Sequence, residues 1–498
     1  NDRDKKMPLV SGKTHTDTGV EAGVDSARRR SLRQVTTAWM FGAVWLYIVT
    51  GAAFTRYGQL LGLSKFEFGL LAALPFAANL VQLPVSYLIE RFGHQKQAFI
   101  IGGMLHRATW VLVGLVPWVF PHAWWPIGLL VFVLLSAVIG SVPVPVWFTW
   151  IGELVPASIR GRYFSRRTQV GQLVGLVTTL AVGVLLDKAS TIGADALIKT
   201  ISAMLALGGV MGMIDFALFL PVTPPSTSAP NTQLAIKEMM LKPLADRNFR
   251  LFLGFIATMT FGTAFLGQFI WLYLFDVLKV TNTTANSLLV VIPLIVTMIS
   301  VSFWGRLMDR FGRKPILIIC GLMVVLGSVA WVFVTRELIW PGYLMVIVAT
   351  FAWPGIDLAN FNILLGMCES LEGRRYRMGY IVIFNMVGAV AGVISGVFGG
   401  VVAQWLGDTW TGTVFGWPLT YHGVLFVISG GLRLAALAWL IGLADARAYG
   451  ARETLKYMAV ELFSNLQQAA GVPVRVAGWV GRWTYKLNPR RPFRRKRN

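Results

Sequence analysis

Two cysteines among 498 residues leave no room for a disulfide framework. Cys320 falls inside an apolar run and Cys368 near the end of another, and nothing in the sequence brings them together. Charge is also scarce. Asp, Glu, Lys and Arg make up 14% of the chain, against roughly 25% in soluble globular domains. There is no Walker loop, no His or Cys spacing of a metal site, and no nucleophile–base set outside the apolar runs. These absences argue against an ATP-driven pump and against an enzyme, and they imply no cofactor and no metal. The first 34 residues lack the apolar core of a signal peptide.

What the chain has in excess is apolar length. It is 55% hydrophobic, with a mean hydropathy of +0.62. Runs of about 20 apolar residues recur, each long enough to cross a bilayer as a helix. They cover approximately residues 35–54, 66–89, 98–120, 127–151, 170–186, 201–220, 251–273, 285–303, 316–334, 341–366, 379–403 and 421–443. The net charge of +22 raises the question of nucleic acid. The cations answer it, because they sit between the runs and at the two ends, so no nucleic acid is expected. One set of loops carries only Arg56, Lys65, Lys188, Lys199, Lys279 and Arg336; most other cations lie on the alternate set and the ends. Positive flanks stay inside, so both termini are expected in the cytoplasm, in a plasma membrane or a bacterial inner membrane.

The expectation is an all-α polytopic membrane protein, with twelve transmembrane helices in two pseudo-equivalent six-helix halves. Residues 1–34 read as a cytoplasmic tail, 35–220 and 249–443 as the halves. Residues 221–248, with Pro224-Pro225-Ser226-Thr227-Ser228-Ala229-Pro230, read as a flexible linker. Arg91-Phe92-Gly93 recurs as Arg310-Phe311-Gly312, 219 positions on, and Arg162-Tyr163 as Arg375-Tyr376, 213 positions on. Two similar offsets point to duplication of a six-helix unit. In residues 444–498, Leu455, Met458, Leu462 and Leu466 repeat at helical spacing, as in an interfacial helix. The basic run Arg490–Arg497 suits anionic lipid, at about 1 kcal/mol per cation; a solvated tail that fixes topology accounts for it equally well.

One short loop carries a specific pattern. Between two apolar runs stands Gly305-x-Leu307-x-Asp309-Arg310-x-Gly312-Arg313-Lys314, with a shorter echo at Glu90-Arg91-Phe92-Gly93. The pattern resembles the loop signature of the major facilitator superfamily and is silent about the substrate. The resemblance implies a central cavity lined by the first, fourth, seventh and tenth spans, with substrate near the midplane. It also implies a cytoplasmic gate, in which each charged loop meets the opposite half: Asp309 with Arg162, Arg166 or Arg167, and Glu90 with Arg374, Arg375 or Arg377. Arg160 belongs to the same basic loop. The bland alternative is that these charges only fix topology. The fifth span has no proline, unlike the glycine-proline pattern of the family's proton-coupled drug antiporters.

Ionisable residues inside spans cost roughly 2.5–3.5 kcal/mol each at a helix centre, so each needs a reason. Arg107, Asp215 and Arg433 lie on spans the resemblance makes peripheral, and read as internal partners. His106, beside Arg107, reads as a buried histidine with its bonds satisfied. Asp357 lies on a cavity-type span with Asn360 and Asn362 and is the acid best placed to couple a proton. Pro354-Gly355 before it reads as a helix break. Gln268 and Asn385 are further polar candidates. Trp45, Trp147 and Trp150 lie on cavity-type spans and suit a sugar, an aromatic or an amphiphile; ordinary packing is the alternative. Gly388, Gly392 and Gly396, like Gly171 and Gly175, recur at the spacing that lets helices approach closely. The expectation is a secondary transporter, a symporter in one form, that moves a small organic solute by alternating access on a proton or sodium gradient or the solute's own. The rival from another class is a non-transporting subunit or assembly factor of a larger membrane complex.

Overall fold

The computed structural model describes residues 17–92, 94–156, 159–222, 236–368, 376–408, 410–414 and 417–444. Ten helices in it are long and apolar enough to cross a membrane, and a pair bent by 43° makes an eleventh span. The twelfth is Lys65–Phe92, 28 residues, about 42 Å long at 1.5 Å per residue.

Span 1 is Asp17–Val49 continued by Ala52–Leu60, span 2 Lys65–Phe92, and span 3 Gln95–Val119. Span 4 is Trp125–Gly140 with Pro143–Leu154, span 5 Arg160–Ile192, and span 6 Ala194–Ala217. A short helix, Ile236–Leu241, leads to the second half. There, span 7 is Arg247–Leu266 with Phe269–Leu272 and the wide turn Tyr273–Val277. Span 8 is Asn282–Asn286, Ser287–Val291 and Ile292–Phe311; span 9 is Arg313–Ala330. Spans 10, 11 and 12 are Trp340–Cys368, Arg377–Leu406 and Tyr421–Trp439, the last two joined through a two-stranded hairpin, Gly412–Val414 with Trp417–Leu419.

The breaks have local causes. Span 4 breaks just before Pro143 and Pro145, which bring no backbone N–H to the ladder. Span 7 breaks at Gly267, whose φ of 30° sits in the region glycine tolerates. One expectation needs correction. Span 10 runs unbroken through Pro354. Gly355 is packed against Cys320 and Trp304, so spans 8 and 9 lie close to the helix where Pro354 removes a hydrogen bond. The helix that carries span 1 starts at Asp17, so the described part of the cytoplasmic segment before Val35 is helical. Arg28 donates to the carbonyls of Leu154 (2.8 Å) and Glu153 (2.7 Å), the orphan acceptors at the end of span 4.

The apolar packing divides unevenly. One core joins both halves, from Ile48 and Leu71 to Phe265, Ala403 and Phe426. It lies at the end of the spans that bears the cation-poor loops. At the cation-rich end the described residues form two separate cores. Val35, Phe99, Trp150 and Phe219 pack within the first half, and Phe249, Trp304, Ile356 and Tyr380 within the second. The small-residue spacing explains where the halves touch. Gly396 and Gly400 of span 11 lie against Ala73, Phe66 and Gly69 of span 2, and Phe76 covers Gly392. Gly171 and Gly175 instead make room for Trp39 and Tyr47 within the first half.

Candidate functional site

At the cation-poor end the halves are tied by side chains. Asp187, near the end of span 5, sits at the N-terminus of span 8. Its carboxylate accepts from Asn282 N (2.7 Å) and Nδ2 (2.9 Å), and from Thr283 N (3.0 Å) and Oγ1 (2.6 Å). A carboxylate there satisfies orphan donors and meets the positive end of the helix dipole. Asn286, fully buried, accepts from Ala52 N at 2.8 Å and donates to the Thr179 carbonyl at 3.0 Å. It thereby caps the second piece of span 1 from the opposite half. Arg56 donates to Asn282 (3.2 Å) and covers the ring of Phe275 (3.9 Å). Gln59 donates to Asp276, Thr55 to Gln268, and Lys65 to Asp408. All of these bonds between the halves lie at this one end.

The cation-rich end has a different character. Lys96 donates to the carbonyls of Leu220 (2.7 Å) and Val222 (2.9 Å); Lys314 donates to those of Ile441 (3.2 Å) and Leu443 (2.9 Å). Each lysine caps the sixth helix of its own half, which makes the duplication visible in side-chain geometry. Gly312 turns the loop with φ of 89°, a glycine requirement. Arg313 lies over Gly366 of span 10. Gly305 is half-buried, and Arg310 is exposed beside Phe311. Asp309, Arg162 and Arg166 are exposed, and Asp309 has no hydrogen-bonded or ionic partner among the described residues. Arg167 lies over the rings of Trp39 (4.3 Å) and Trp147 (4.6 Å). Glu90 and Arg91 end span 2 and Arg160 begins span 5; Gly93, Arg374 and Arg375 lie outside the described residues, as do Pro224, Pro225 and Pro230 of the linker and everything after 444. The expected gate pairs concern this face when closed, and among the described residues the two halves share no core there.

Between the two ends lie the charged and polar candidates. Arg107 and Asp215 form a buried pair, Nη2 to Oδ2 at 4.0 Å, with the guanidinium 3.2 Å from the Trp45 ring centre. His106 meets Ser136 through Nδ1 and Arg107 through Nε2, so its bonds are made within the helix packing. Arg433, 218 positions after Asp215, is buried as well. It donates to the Val324 carbonyl and lies 5.9 Å from Trp353, and no acid pairs with it among the described residues. Trp150 is fully buried against Phe99 and Phe219; Trp147 is half-buried beside the same rings. Gln268 serves the cation-poor closure. Asp357 is exposed, on the side of span 10 away from Gly355 and its neighbours on spans 8 and 9. Asn362 bonds to the Leu358 carbonyl and Met308, and buried Oδ1 of Asn360 has no partner among the described residues. Asn385 is exposed and lies seven residues before Gly392, hence on the face of span 11 that meets the first half. Just inside the closure, a cavity of about 280 Å³ opens between the halves, with Thr50 and Gln172 on one wall and Leu289, Pro293 and Thr297 on the other.

Asp187, Asn282, Asn286, Arg56, Gln172 and Thr50 did not stand out in the sequence. A signal was present for some. Thr281-Asn282-Thr283-Thr284 reads as a helix N-cap, and Asn286 is a lone amide at the head of an apolar run. What these groups bind on the other half is a tertiary fact that no local spacing carries.

Two halves joined at one end beside a small cavity of mixed lining fit a carrier that opens to alternate sides. The sequence profile of the Major Facilitator Superfamily matches residues 35–368. The chain belongs to the major facilitator superfamily. Solved structures of similar fold include the nucleoside transporter NupG, with 12% identity, 83% of this chain and 98% of that one covered, and a TM-score of 0.61. A bacterial homolog of the human lysosomal transporter Spinster, inward-facing and occupied, shares 15% identity over 84% and 94%, with a TM-score of 0.58. The xylose transporter XylE from E. coli shares 15% over 84% and 98%, with a TM-score of 0.57. These likenesses establish the fold. No curated protein matches the chain. Membership of this superfamily makes the protein a multi-pass membrane transporter of the secondary type.

Proposed function

We propose that the protein carries a small organic solute by alternating access, with the cation-rich face in the cytoplasm and the present conformation facing inward. The observation that carries this is the asymmetry of the packing among the described residues: one shared core and the cross-half hydrogen bonds at one end, two separate cores at the other. The positive-inside bias supplies the direction. Thr50, Gln172 and Thr297 offer hydrogen bonds to a hydroxylated or amide-bearing solute. The similar folds include a nucleoside transporter and a D-xylose–proton symporter, so nucleosides and pentoses come first in a screen.

Asp357 is the acid proposed to couple a proton, since it is exposed on a span that lines the cavity in this fold. The experiment is uptake into proteoliposomes under an imposed pH gradient. Wild type accumulates the solute uphill, and Asp357→Asn retains exchange while losing accumulation. Accumulation by Asp357→Asn at the wild-type level removes this residue from coupling; absence of any flux for every solute, with co-purification of a larger complex, favours the subunit reading instead.

A further inference from the structure

On the flank of the second half lies a groove of about 710 Å³, walled by spans 7, 11 and 12 and by the short helix Ile236–Leu241. Its lining is almost wholly apolar: Leu241, Leu244, Phe261, Met386, Val390 and Ile394 among others. Thr258 is a polar residue of the wall, and its hydroxyl is already engaged with the Gly254 carbonyl and the Trp439 indole. Val390 and Ile394 are exposed. Each is two residues, about 200° of helix, from Gly392 or Gly396, which face the first half. The groove therefore opens away from the central cavity, toward lipid. Along span 11 it runs from Ile383 to Ile394, a rise of roughly 16 Å, which matches about half of a 30 Å hydrocarbon core. That is the reach of one leaflet.

The mouth of the groove is at the cation-rich face, where Leu241 and Leu244 close it. Lys242, just after the short helix, and Arg247 and Arg250, in the first turn of span 7, stand exposed at that end. Arg250 donates to the carbonyls of Leu244 and Ala245, which fixes its guanidinium beside the mouth. The acids nearby are engaged elsewhere. Glu238 accepts from Tyr376 Oη at 2.7 Å, and Asp246 from the backbone of Asn248 and Phe249 and from Tyr380 Oη. Lys242 and Arg247 have no ion pair among the described residues. An apolar slot of single-leaflet length with unpaired cations at its mouth has the chemistry of one ligand class. We infer that the groove is a binding site for an anionic phospholipid of the cation-rich leaflet, its acyl chain along span 11 and its phosphate at Lys242, Arg247 and Arg250.

The test is native mass spectrometry of the full-length protein with palmitoyl-oleoyl phosphatidylglycerol and with phosphatidylcholine of the same chains. Wild type should retain the anionic lipid about 100-fold better, since each of the three cations contributes about a fivefold preference. Lys242→Gln with Arg247→Gln should lower that preference roughly 25-fold and leave the melting temperature in lipid-free detergent unchanged. Val390→Trp, which fills the slot, should lower retention of both lipids. Equal retention of the two lipids by wild type overturns the proposal. So does a preference that the double substitution leaves undiminished, which would place the lipid elsewhere, for instance on the basic run Arg490–Arg497.

Discussion

The two faces of this transporter are built from the same duplicated parts and hold their halves in opposite ways. At the cation-poor face the closure is made of short, directional bonds. Asp187 and Asn286 each cap a helix of the other half, and a common hydrophobic core lies beside them. At the cation-rich face each half completes itself. Lys96 and Lys314 cap helices of their own half, and each half has its own core. In lipid there is little hydrophobic force between helices, so close packing and interhelical hydrogen bonds decide which surfaces adhere. The lesson is that the state of the carrier is set where one half supplies the caps of the other. Closing the cation-rich face has to be worth as much as the bonds released at Asp187 and Asn286.

Asp187→Ala should disturb this comparison most. It removes a carboxylate that accepts four hydrogen bonds across the halves, worth about 2–3 kcal/mol in charge-assisted bonds. That is roughly a 30- to 150-fold shift toward opening of the cation-poor face. The shift is read as reactivity of Thr50→Cys toward an impermeant thiol reagent added from that face. A rate within twofold of the otherwise wild-type background would show that the network does not hold the closure. Asn286→Ala loses two neutral bonds at a buried position, about 1 kcal/mol each. Reactivity at the same reporter should rise roughly 10- to 30-fold.

Asp309→Asn probes the other face and should act in the opposite direction. Asp309 has no described partner in the present state, so its effect comes through the closed form, where a helix N-terminus favours an acid by about 0.3–1 kcal/mol. Asn385→Cys, labelled from the cation-rich face, should react about two to five times faster in that background. Slower labelling would reverse the proposed role of the loop. Lys65→Ala should do least. Its bond to Asp408 is 2.7 Å long, but the acid's side chain is 79% exposed, and such pairs contribute about 0–1 kcal/mol. Thr50→Cys reactivity should change by no more than about fivefold.

The fold was largely legible in the sequence, because a bilayer forces helices of fixed length and the loop from Gly305 to Lys314 is specific. The helix ends were less so. Asp17 to Gln34 reads as tail by hydropathy, yet Arg28 reaches carbonyls of span 4 that only the folded half presents. Pro354-Gly355 reads as a break, yet span 10 is one helix, with Gly355 packed against spans 8 and 9. Of the site, the intramembrane charges announce themselves by cost; the pairing of Arg107 with Asp215, and the lack of a described acid beside Arg433, do not. The cation-poor closure was the least legible. Asp187 and Asn282 stand at span ends, where polar residues are ordinary, and only the geometry makes them partners.

The account is tested most directly by distances between spin-label pairs across each face, measured by double electron–electron resonance in nanodiscs. Arg166→Cys with Asp309→Cys spans the cation-rich face, and Gln59→Cys with Lys279→Cys the other; Cys320 and Cys368 are buried and stay unlabelled. The wild-type background should give a long distance at the cation-rich face and a short one opposite, and Asp187→Ala should populate the reverse pattern. A protein in which both faces are short together, or in which Asp187→Ala moves neither distance, would contradict the claim that the bonds at Asp187 set the state.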